Sequence, residues 1–232
     1  MDAARIAALL EPFLDQPLPS PALEQISIYI DLLLRWNARI NLTAIRNPEE
    51  IVTRHFGESF FLASHLFPER VARTFLSAQG LSPSKEADGI PPHPRVLDLG
   101  SGAGFPALPI KIWCPNILLT LIESNHKKAA FLREAARSLT LTDVNVITER
   151  AETLVSQGPP QAEIVTLRAV EHFNTVLPLA IRFLTPAARL ALLIGASQFP
   201  NLPNLAPTID WRPPIGIPQS HSRVLAIGVP TA

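Results

Sequence analysis

The chain has 232 residues, of which 47% are hydrophobic and 17% are charged, with 20 basic and 20 acidic side chains. This length suits one α/β domain with a small appendage, and the composition excludes wholesale disorder. The zero net charge gives no basic surplus. Bulk charge therefore does not predict a nucleic-acid partner, which would need a local basic patch.

Cysteine, histidine and hydropathy narrow the function classes further. Cys114 is the single cysteine, which excludes an internal disulfide framework and a multi-cysteine zinc site. The six histidines form no pair at metal-ligand spacing, so we predict no metal. No apolar run reaches the roughly 18–20 residues of a membrane span, and the first five residues lack a signal-peptide pattern. We expect a cytoplasmic monomer without a membrane partner.

The first part of the chain, residues 1–80, is predicted to be a helical extension. Apolar residues between positions 23 and 34 recur at helical spacing. A further helix is predicted to begin after Asn47, which can cap a first turn that starts with proline. This helix carries His55 and Glu58 on one stripe.

The pattern changes after residues 81–95, which mix glycine, proline and charge without a period and are predicted to be a linker. In residues 96–232, helical segments at 125–139 and 172–183 alternate with short apolar runs. The predicted strands lie at 95–99, 117–122, 144–147, 163–167, 189–194 and 223–227. This alternation predicts an α/β domain with a mostly parallel sheet covered by helices on both faces.

A glycine turn follows the first predicted strand. Gly100, Gly102 and Gly104 stand at alternate positions after Asp98, and glycine lets a backbone bend tightly and approach a ligand. A dinucleotide fingerprint would have glycine where Phe105 stands. A purely structural turn is the alternative.

The order of residues in this turn resembles motif I of class I S-adenosylmethionine-dependent methyltransferases. The resemblance implies S-adenosylmethionine as the cofactor, with its methionine part in the turn. The candidate cofactor-binding residues of the turn are Asp98, Gly100, Ser101, Gly102, Gly104 and Phe105.

Acidic residues after the next two strands are further candidates. Glu123 ends the second strand about 20 residues beyond the turn, where a carboxylate can accept hydrogen bonds from ribose hydroxyls. A solvated loop acid is the alternative. Ala151 and Glu152 follow the third strand, where this fold presents groups to the adenine edge, with a helix-capping acid as the alternative.

The residues at the end of the fourth predicted strand help to distinguish between classes of methyl acceptor. Arg168 stands there, and the Asn/Asp-Pro-Pro-Tyr/Phe turn associated with amine methylation is absent. Carbon methylation of a pyrimidine needs a cysteine nucleophile, and Cys114 follows the first crossover helix, where we expect a buried small side chain. What remains is an acceptor that is already nucleophilic, such as guanine N7, whose lone pair needs no general base, so that positioning could supply the rate. Arg168 could hold the cofactor carboxylate or orient guanine O6, or be structural.

Residues 41–50, with Arg54-His55 and Glu58-Ser59, resemble the leader of the bacterial 16S rRNA guanine-N7 methyltransferase G family, also called glucose-inhibited division protein B. Residues 99–109 resemble its motif I, and the match continues in order to about residue 230. The resemblance implies a Rossmann-like class I methyltransferase fold with a mostly parallel seven-stranded sheet and an N-terminal helical extension. The implied partner is 16S rRNA or the small ribosomal subunit.

The same resemblance assigns roles to individual residues. Cofactor contacts fall on Gly100, Phe105, Ala151, Glu152 and Arg168, and the substrate mouth on Arg54 and His55. We assign His55 and Arg168 as catalytic residues, with a partly buried helix histidine as the alternative for His55.

Two departures from the family pattern remove candidate phosphate contacts. Ile194 stands where members usually carry lysine, and Ser222-Arg223 stand where members carry an Arg-His pair. These departures keep two alternatives open. One is a non-catalytic RNA-binding ribosome-assembly factor, and the other is a methyltransferase for a protein or a small molecule.

Substitution of Gly102 by valine tests the glycine-turn assignment. The added side chain is expected to abolish S-adenosylmethionine binding and to leave the fold intact, because it fills space at the turn. Calorimetric titration measures the binding, and undiminished affinity would contradict the assignment.

Overall fold

The computed structural model of the chain describes residues 1–68, 93–169 and 172–231. Residues 1–68, the described part of the predicted helical extension and called the leader below, are mostly helical, and the last residues of the prediction, 69–80, lie outside the described residues. A 3-10 turn, Glu11–Phe13, follows the first helix. A π-helical segment, Val52–Gly57, joins the third helix to the fourth helix. The helices are α1 Ala3–Leu10, α2 Ser20–Asn37, α3 Pro48–Ile51 and α4 Glu58–Leu66.

The helix start predicted at Asn47 is confirmed. Its side-chain oxygen accepts hydrogen bonds from the backbone N–H groups of Glu49 and Glu50, and Pro48 occupies the first helical position. The π-helical segment that follows was not predicted. Such a segment inserts a wider turn into an α-helix and is frequent at functional sites. Here it carries Arg54 and His55.

Eight strands form one sheet within the described residues. Seven follow the order β3-β2-β1-β4-β5-β8-β6, and the two-residue strand β7 pairs beside β8. Strands β1 to β5 are parallel to one another, whereas β8 is antiparallel to β5 and to both β6 and β7. The strands are β1 Arg95–Leu99, β2 Leu118–Ile122, β3 Val144–Ile147, β4 Ala162–Arg168, β5 Leu184–Gly195, β6 Ile209–Trp211, β7 Ile215–Gly216 and β8 Arg223–Pro230.

The mostly parallel sheet and the six strands predicted from the sequence are confirmed, and the sheet has eight strands within the described residues where the resemblance implied seven. Strands β6 and β7 were not predicted individually, because three and two residues are too short to show an alternating pattern. The predicted linker lies mostly outside the described residues, and its last residue, Arg95, is the first residue of β1.

Helices cover the sheet as expected. The predicted helices at 125–139 and 172–183 are confirmed within two residues at each end, and Asn125 caps the first of them. Cys114, expected to be buried, is only partly buried after the crossover helix. The helices are α5 Ala107–Trp113, α6 His126–Ser138, α7 Ala151–Gln157, α8 Phe173–Ile181 and α9 Leu202–Leu205, with a 3-10 segment at Ala196–Asn201.

The leader shares one apolar core with one face of the sheet. Tyr29 and Phe56 of the leader and Phe131 of α6 are fully buried in it. Tyr29 stacks on Phe105 with ring centroids 5.2 Å apart, and its hydroxyl donates a hydrogen bond of 2.5 Å to the carbonyl oxygen of Ala103. The glycine turn is therefore packed directly against the helical extension.

Two kinds of feature are absent from residues 1–68, 93–169 and 172–231. Within these ranges, no helix has the length and apolar character needed to cross a membrane. The same ranges contain no group of three or more His, Cys, Asp or Glu side chains that could hold a metal ion.

Substitution of Gly104 by alanine is expected to lower the free energy of unfolding by about 2–4 kcal/mol, from left-handed strain and overpacking. The backbone φ is 82°, and an added Cβ would clash with the Tyr29 hydroxyl oxygen and with the side chain of Leu108. Gly216→Ala is the matched control, because a Cβ there meets no atom within 4 Å. Urea denaturation measures both variants, and equal stabilities would contradict the packing of the turn against the leader.

Candidate active site

A cavity of about 740 Å³ opens at the carboxyl ends of β1, β2 and β4. The carboxyl ends of parallel strands lie at one edge of a sheet, which brings the residues that follow them together. The leader supplies a further wall through residues 42–44 and His55. The cavity is thus formed by both parts of the chain.

Most of the predicted site residues line this cavity. They are His55, Gly100, Ser101, Gly102, Phe105, Glu123, Ala151, Glu152 and Arg168. Asp98 and Gly104 do not line the cavity: Asp98 is buried behind the glycine turn, and Gly104 belongs to the part of the turn that packs against Tyr29. Further lining residues were not predicted as site residues, and they include Leu42, Thr43, Ala44, Lys128, Glu149, Arg150, Ala169 and His172. The leader motif at 41–50 contained the signal for the first three.

The glycine turn needs its glycines. Gly100, Gly102 and Gly104 have φ values of 73°, 53° and 82°, in the left-handed region that other residues rarely adopt. The backbone N–H groups of Gly100 and Ser101 both donate to the carbonyl of Ile122, at 2.9 and 3.1 Å. These hydrogen bonds tie the turn to the end of β2.

Glu123 fixes the turn from the other side. One carboxylate oxygen accepts a hydrogen bond of 2.9 Å from the N–H of Gly102, and the other accepts one of 2.8 Å from the N–H of Asn125. Glu123 therefore connects the turn to the start of α6. Its role towards a ribose stays a prediction.

Asp98 is a buried carboxyl group behind the turn. Its Oδ1 accepts a hydrogen bond of 2.6 Å from the Thr166 hydroxyl, and its Oδ2 is buried without a hydrogen-bond partner among the described residues. Burial raises the pKa of Asp98 to about 7, although the hydrogen bond from Thr166 acts in the opposite direction. Asp98 thus connects the strand end before the glycine turn to β4 through Thr166, and it does not form part of the cavity surface.

His55 presents an uncharged ring to the cavity. The ring stacks on Phe105 with centroids 4.6 Å apart, and its Nε2 lies 2.8 Å from the Thr43 hydroxyl oxygen. Burial lowers the pKa of His55 to about 3, and the neighbouring charges of Arg168 and Arg54 act in the same direction. His55 is therefore neutral near pH 7 and cannot donate a proton as an imidazolium. Its catalytic role stays a prediction.

Arg168 ends β4 with a partly unused guanidinium group. Its Nη2 donates to the carbonyl of Arg54 at 2.6 Å and to Oε2 of Glu58 at 3.1 Å. Its Nη1 is buried and has no hydrogen-bond partner among the described residues. Burial lowers the pKa of Arg168 to about 10, against the opposing effect of Glu58, so the group stays charged near pH 7.

The departures at Ile194 and Ser222 leave no basic side chain at those two positions. Ile194 is 6% exposed and packs in an apolar cluster under the sheet. The backbone carbonyl of Ser222 accepts a hydrogen bond from the N–H of Ala196. Arg223 forms an ion pair with Glu58.

The charge around the cavity is balanced among the described residues. Its lining contains three basic side chains, Lys128, Arg150 and Arg168, and three acidic ones, Glu123, Glu149 and Glu152. With His55 neutral, the lining suits a ligand that carries both positive and negative groups. It does not form the strongly basic patch that a long phosphate backbone requires.

A family model described as "rRNA small subunit methyltransferase G", named GidB, matches residues 22–76 and 69–208 of this chain. The chain belongs to this family. The fold agrees with that of a ribosomal protein L11 methylase from Lactobacillus delbrueckii subsp. bulgaricus, at a TM-score of 0.54 and 12% identity. That superposition covers 76% of this chain and 80% of the methylase, and at this identity it shows the fold alone.

Two curated members of the GidB family are similar to the chain in sequence. Both are named Ribosomal RNA small subunit methyltransferase G. The protein from Chloroflexus aggregans is 38% identical over 176 residues, which are 75% of this chain, and the protein from Roseiflexus castenholzii is 42% identical over 174 residues, or 71%. In each case the match spans 64% of the relative's own length.

The raised pKa of Asp98 predicts a pH-dependent stability. In the folded protein Asp98 keeps its proton up to about pH 7, whereas in the unfolded chain it releases the proton near pH 4. Its contribution to the free energy of unfolding is therefore full below about pH 4 and is lost as the pH rises through about 7. Asp98→Asn, which keeps the shape without the titration, should show a smaller fall in the free energy of unfolding between about pH 5 and about pH 8. Urea denaturation at both pH values measures this, and equal falls in the two proteins would contradict it.

Proposed function

We propose that the chain is an S-adenosylmethionine-dependent methyltransferase that acts on N7 of a guanine in the 16S rRNA of the small ribosomal subunit. Membership of the GidB family supports the reaction class. The observation that carries the proposal is that the glycine turn, Glu123 and Arg168 line one and the same cavity. The activity would take place in the cytoplasm, on a small subunit or its RNA.

The residues around the cavity fit the cofactor. S-adenosylmethionine supplies an electrophilic methyl group on a sulfonium and carries an ammonium and a carboxylate, which suits a lining of balanced charge. We assign the backbone of Gly100 to Gly102 to its amino-acid end and Ala151 and Glu152 to its adenine edge. Each oxygen of Glu123 already accepts one backbone N–H, and a carboxylate oxygen has further lone pairs for ribose hydroxyls.

Methylation of guanine N7 does not require a side chain that removes a proton. The lone pair of guanine N7 is free in the neutral base, so the reaction needs no general base. A neutral His55 stacked on Phe105 fits this requirement, because it offers an aromatic surface rather than a proton. Arg168 and the walls of the cavity would act by orientation, which can supply a large part of the rate.

Transfer of labelled methyl from S-adenosylmethionine to purified small ribosomal subunits tests the function. We expect label in 7-methylguanosine after nucleoside digestion, with naked 16S rRNA and large subunits as parallel substrates. Label that survives ribonuclease treatment would contradict the proposal and favour a protein acceptor. Absence of label with every substrate, together with retained cofactor binding, would favour the non-catalytic assembly factor.

Gly102→Ala is expected to weaken S-adenosylmethionine binding at least about tenfold, because the methyl group occupies the path along which the ligand approaches the backbone. A Cβ at Gly102 meets no protein atom closer than the Gly100 carbonyl oxygen at 3.8 Å, so the fold should lose only the roughly 1–2 kcal/mol of left-handed strain. Alanine strains this φ of 53° less than the β-branched valine does. Calorimetric titration measures S-adenosylmethionine binding, with Gly216→Ala as the control variant. Unchanged affinity in Gly102→Ala would contradict the assignment of the glycine turn to the cofactor.

A further inference from the structure

Glu58 is a buried carboxylate surrounded by three arginine side chains from different elements. Its side chain is 2% exposed. The Nε of Arg54 in the π-helical segment lies 3.4 Å from Oε1, and the Nη2 of Arg168 at the end of β4 lies 3.1 Å from Oε2. Arg223 at the start of β8 forms an ion pair with Oε1. One leader residue therefore joins the extension to two strands of the sheet.

The cluster carries more positive than negative charge. Burial raises the pKa of Glu58, but the charges of Arg168, Arg223 and Arg54 oppose the rise and favour the ionised carboxylate. One carboxylate thus faces three guanidinium groups. Such a surplus favours a further anionic group nearby, because like charges in a partly buried cluster repel one another.

The guanidinium of Arg168 is held in one orientation. Its side chain is 10% exposed, and its Nη2 is occupied by Glu58 and by the carbonyl of Arg54. Because a guanidinium group is planar and rigid, the two hydrogen bonds that Nη2 donates also fix the position of Nη1. That Nη1 is buried without a partner among the described residues, on a side chain that lines the cavity. A buried donor without a partner is costly, which indicates that a ligand completes it.

The sheet register shows which part of a ligand Arg168 can reach. Strands β1 and β4 are neighbours, with Asp98 opposite Thr166. Gly100 follows Asp98 by two positions and Arg168 follows Thr166 by two, so the glycine turn and Arg168 stand at neighbouring strand ends, and both line the cavity. The amino-acid end of the cofactor is assigned to that turn, and its carboxylate is the anionic group in it.

We propose that Glu58 is a positioning residue, which fixes the guanidinium of Arg168 so that its Nη1 takes the carboxylate of the cofactor's amino-acid end. The inference rests on the proposed function, because it requires that the cavity binds S-adenosylmethionine. It assigns Glu58 of the leader a part in cofactor binding that acts through Arg168. Arg223 forms an ion pair with Oε1 of Glu58 and so favours its ionised form.

The test compares two nucleosides that differ in the amino-acid end. S-adenosylhomocysteine carries the carboxylate, whereas 5′-methylthioadenosine lacks the whole amino-acid end. In Glu58→Gln, which keeps the shape but removes the charge, we expect binding of S-adenosylhomocysteine to weaken about tenfold or more, the usual effect of losing a charged hydrogen bond. Binding of 5′-methylthioadenosine should stay within about twofold of the starting protein.

Glu50→Gln is the matched control. Glu50 lies on the other side of Arg54, at 3.8 Å from its Nη1, but its side chain is 49% exposed. An exposed ion pair contributes little, so this variant should bind both nucleosides as the starting protein does. In an Arg168→Gln background, Glu58→Gln should add no further loss, because its effect passes through Arg168.

The outcomes separate the two proposals. Equal losses for both nucleosides in Glu58→Gln, unchanged binding of S-adenosylhomocysteine, or additive losses with Arg168→Gln would overturn the positioning role and leave the proposed function intact. Failure of the starting protein to bind either nucleoside would overturn both. If Glu58→Gln is unfolded at the assay temperature, Glu58→Asp replaces it, and the same selective loss for S-adenosylhomocysteine is required.

Discussion

The left-handed backbone of the glycine turn is held from two sides, and the site depends on this restraint. From one side, the carbonyl of Ile122 and the carboxylate of Glu123 accept hydrogen bonds from three consecutive N–H groups of the turn. From the other side, Tyr29 bonds the carbonyl of Ala103 and stacks on Phe105. The turn therefore presents a fixed surface to a ligand without a loop that has to reorganise, which favours tight binding.

The helical extension is part of the site rather than an addition to it. Residues of the leader line the cavity, share the apolar core and supply the carboxylate that faces three arginine side chains. The π-helical segment matters here, because the Arg54 carbonyl accepts its hydrogen bond from Arg168 within that segment. The division into a helical extension at 1–80 and a methyltransferase domain at 96–232 stays a proposal, and the two share one core.

The buried titratable groups do not favour proton abstraction at the cavity surface. His55 has a pKa of about 3 and is a weak base, and Asp98 does not line the cavity, so neither side chain provides an effective general base at the cavity surface. Arg168 stays charged and has an unused N–H group. This arrangement suits the orientation of a ligand and of a nucleophilic acceptor better than proton abstraction.

The local pattern of the sequence determined the helix start at Asn47, the six longer strands and the glycine turn, because capping residues, apolar runs and alternate glycines act over a few neighbours. The order of motifs also determined the family. The tertiary structure alone decided that Glu123 holds the turn, that Asp98 lies behind it and that Glu58 meets Arg168 and Arg223. These contacts join residues far apart in the chain, and their burial sets their charge, which no local pattern encodes.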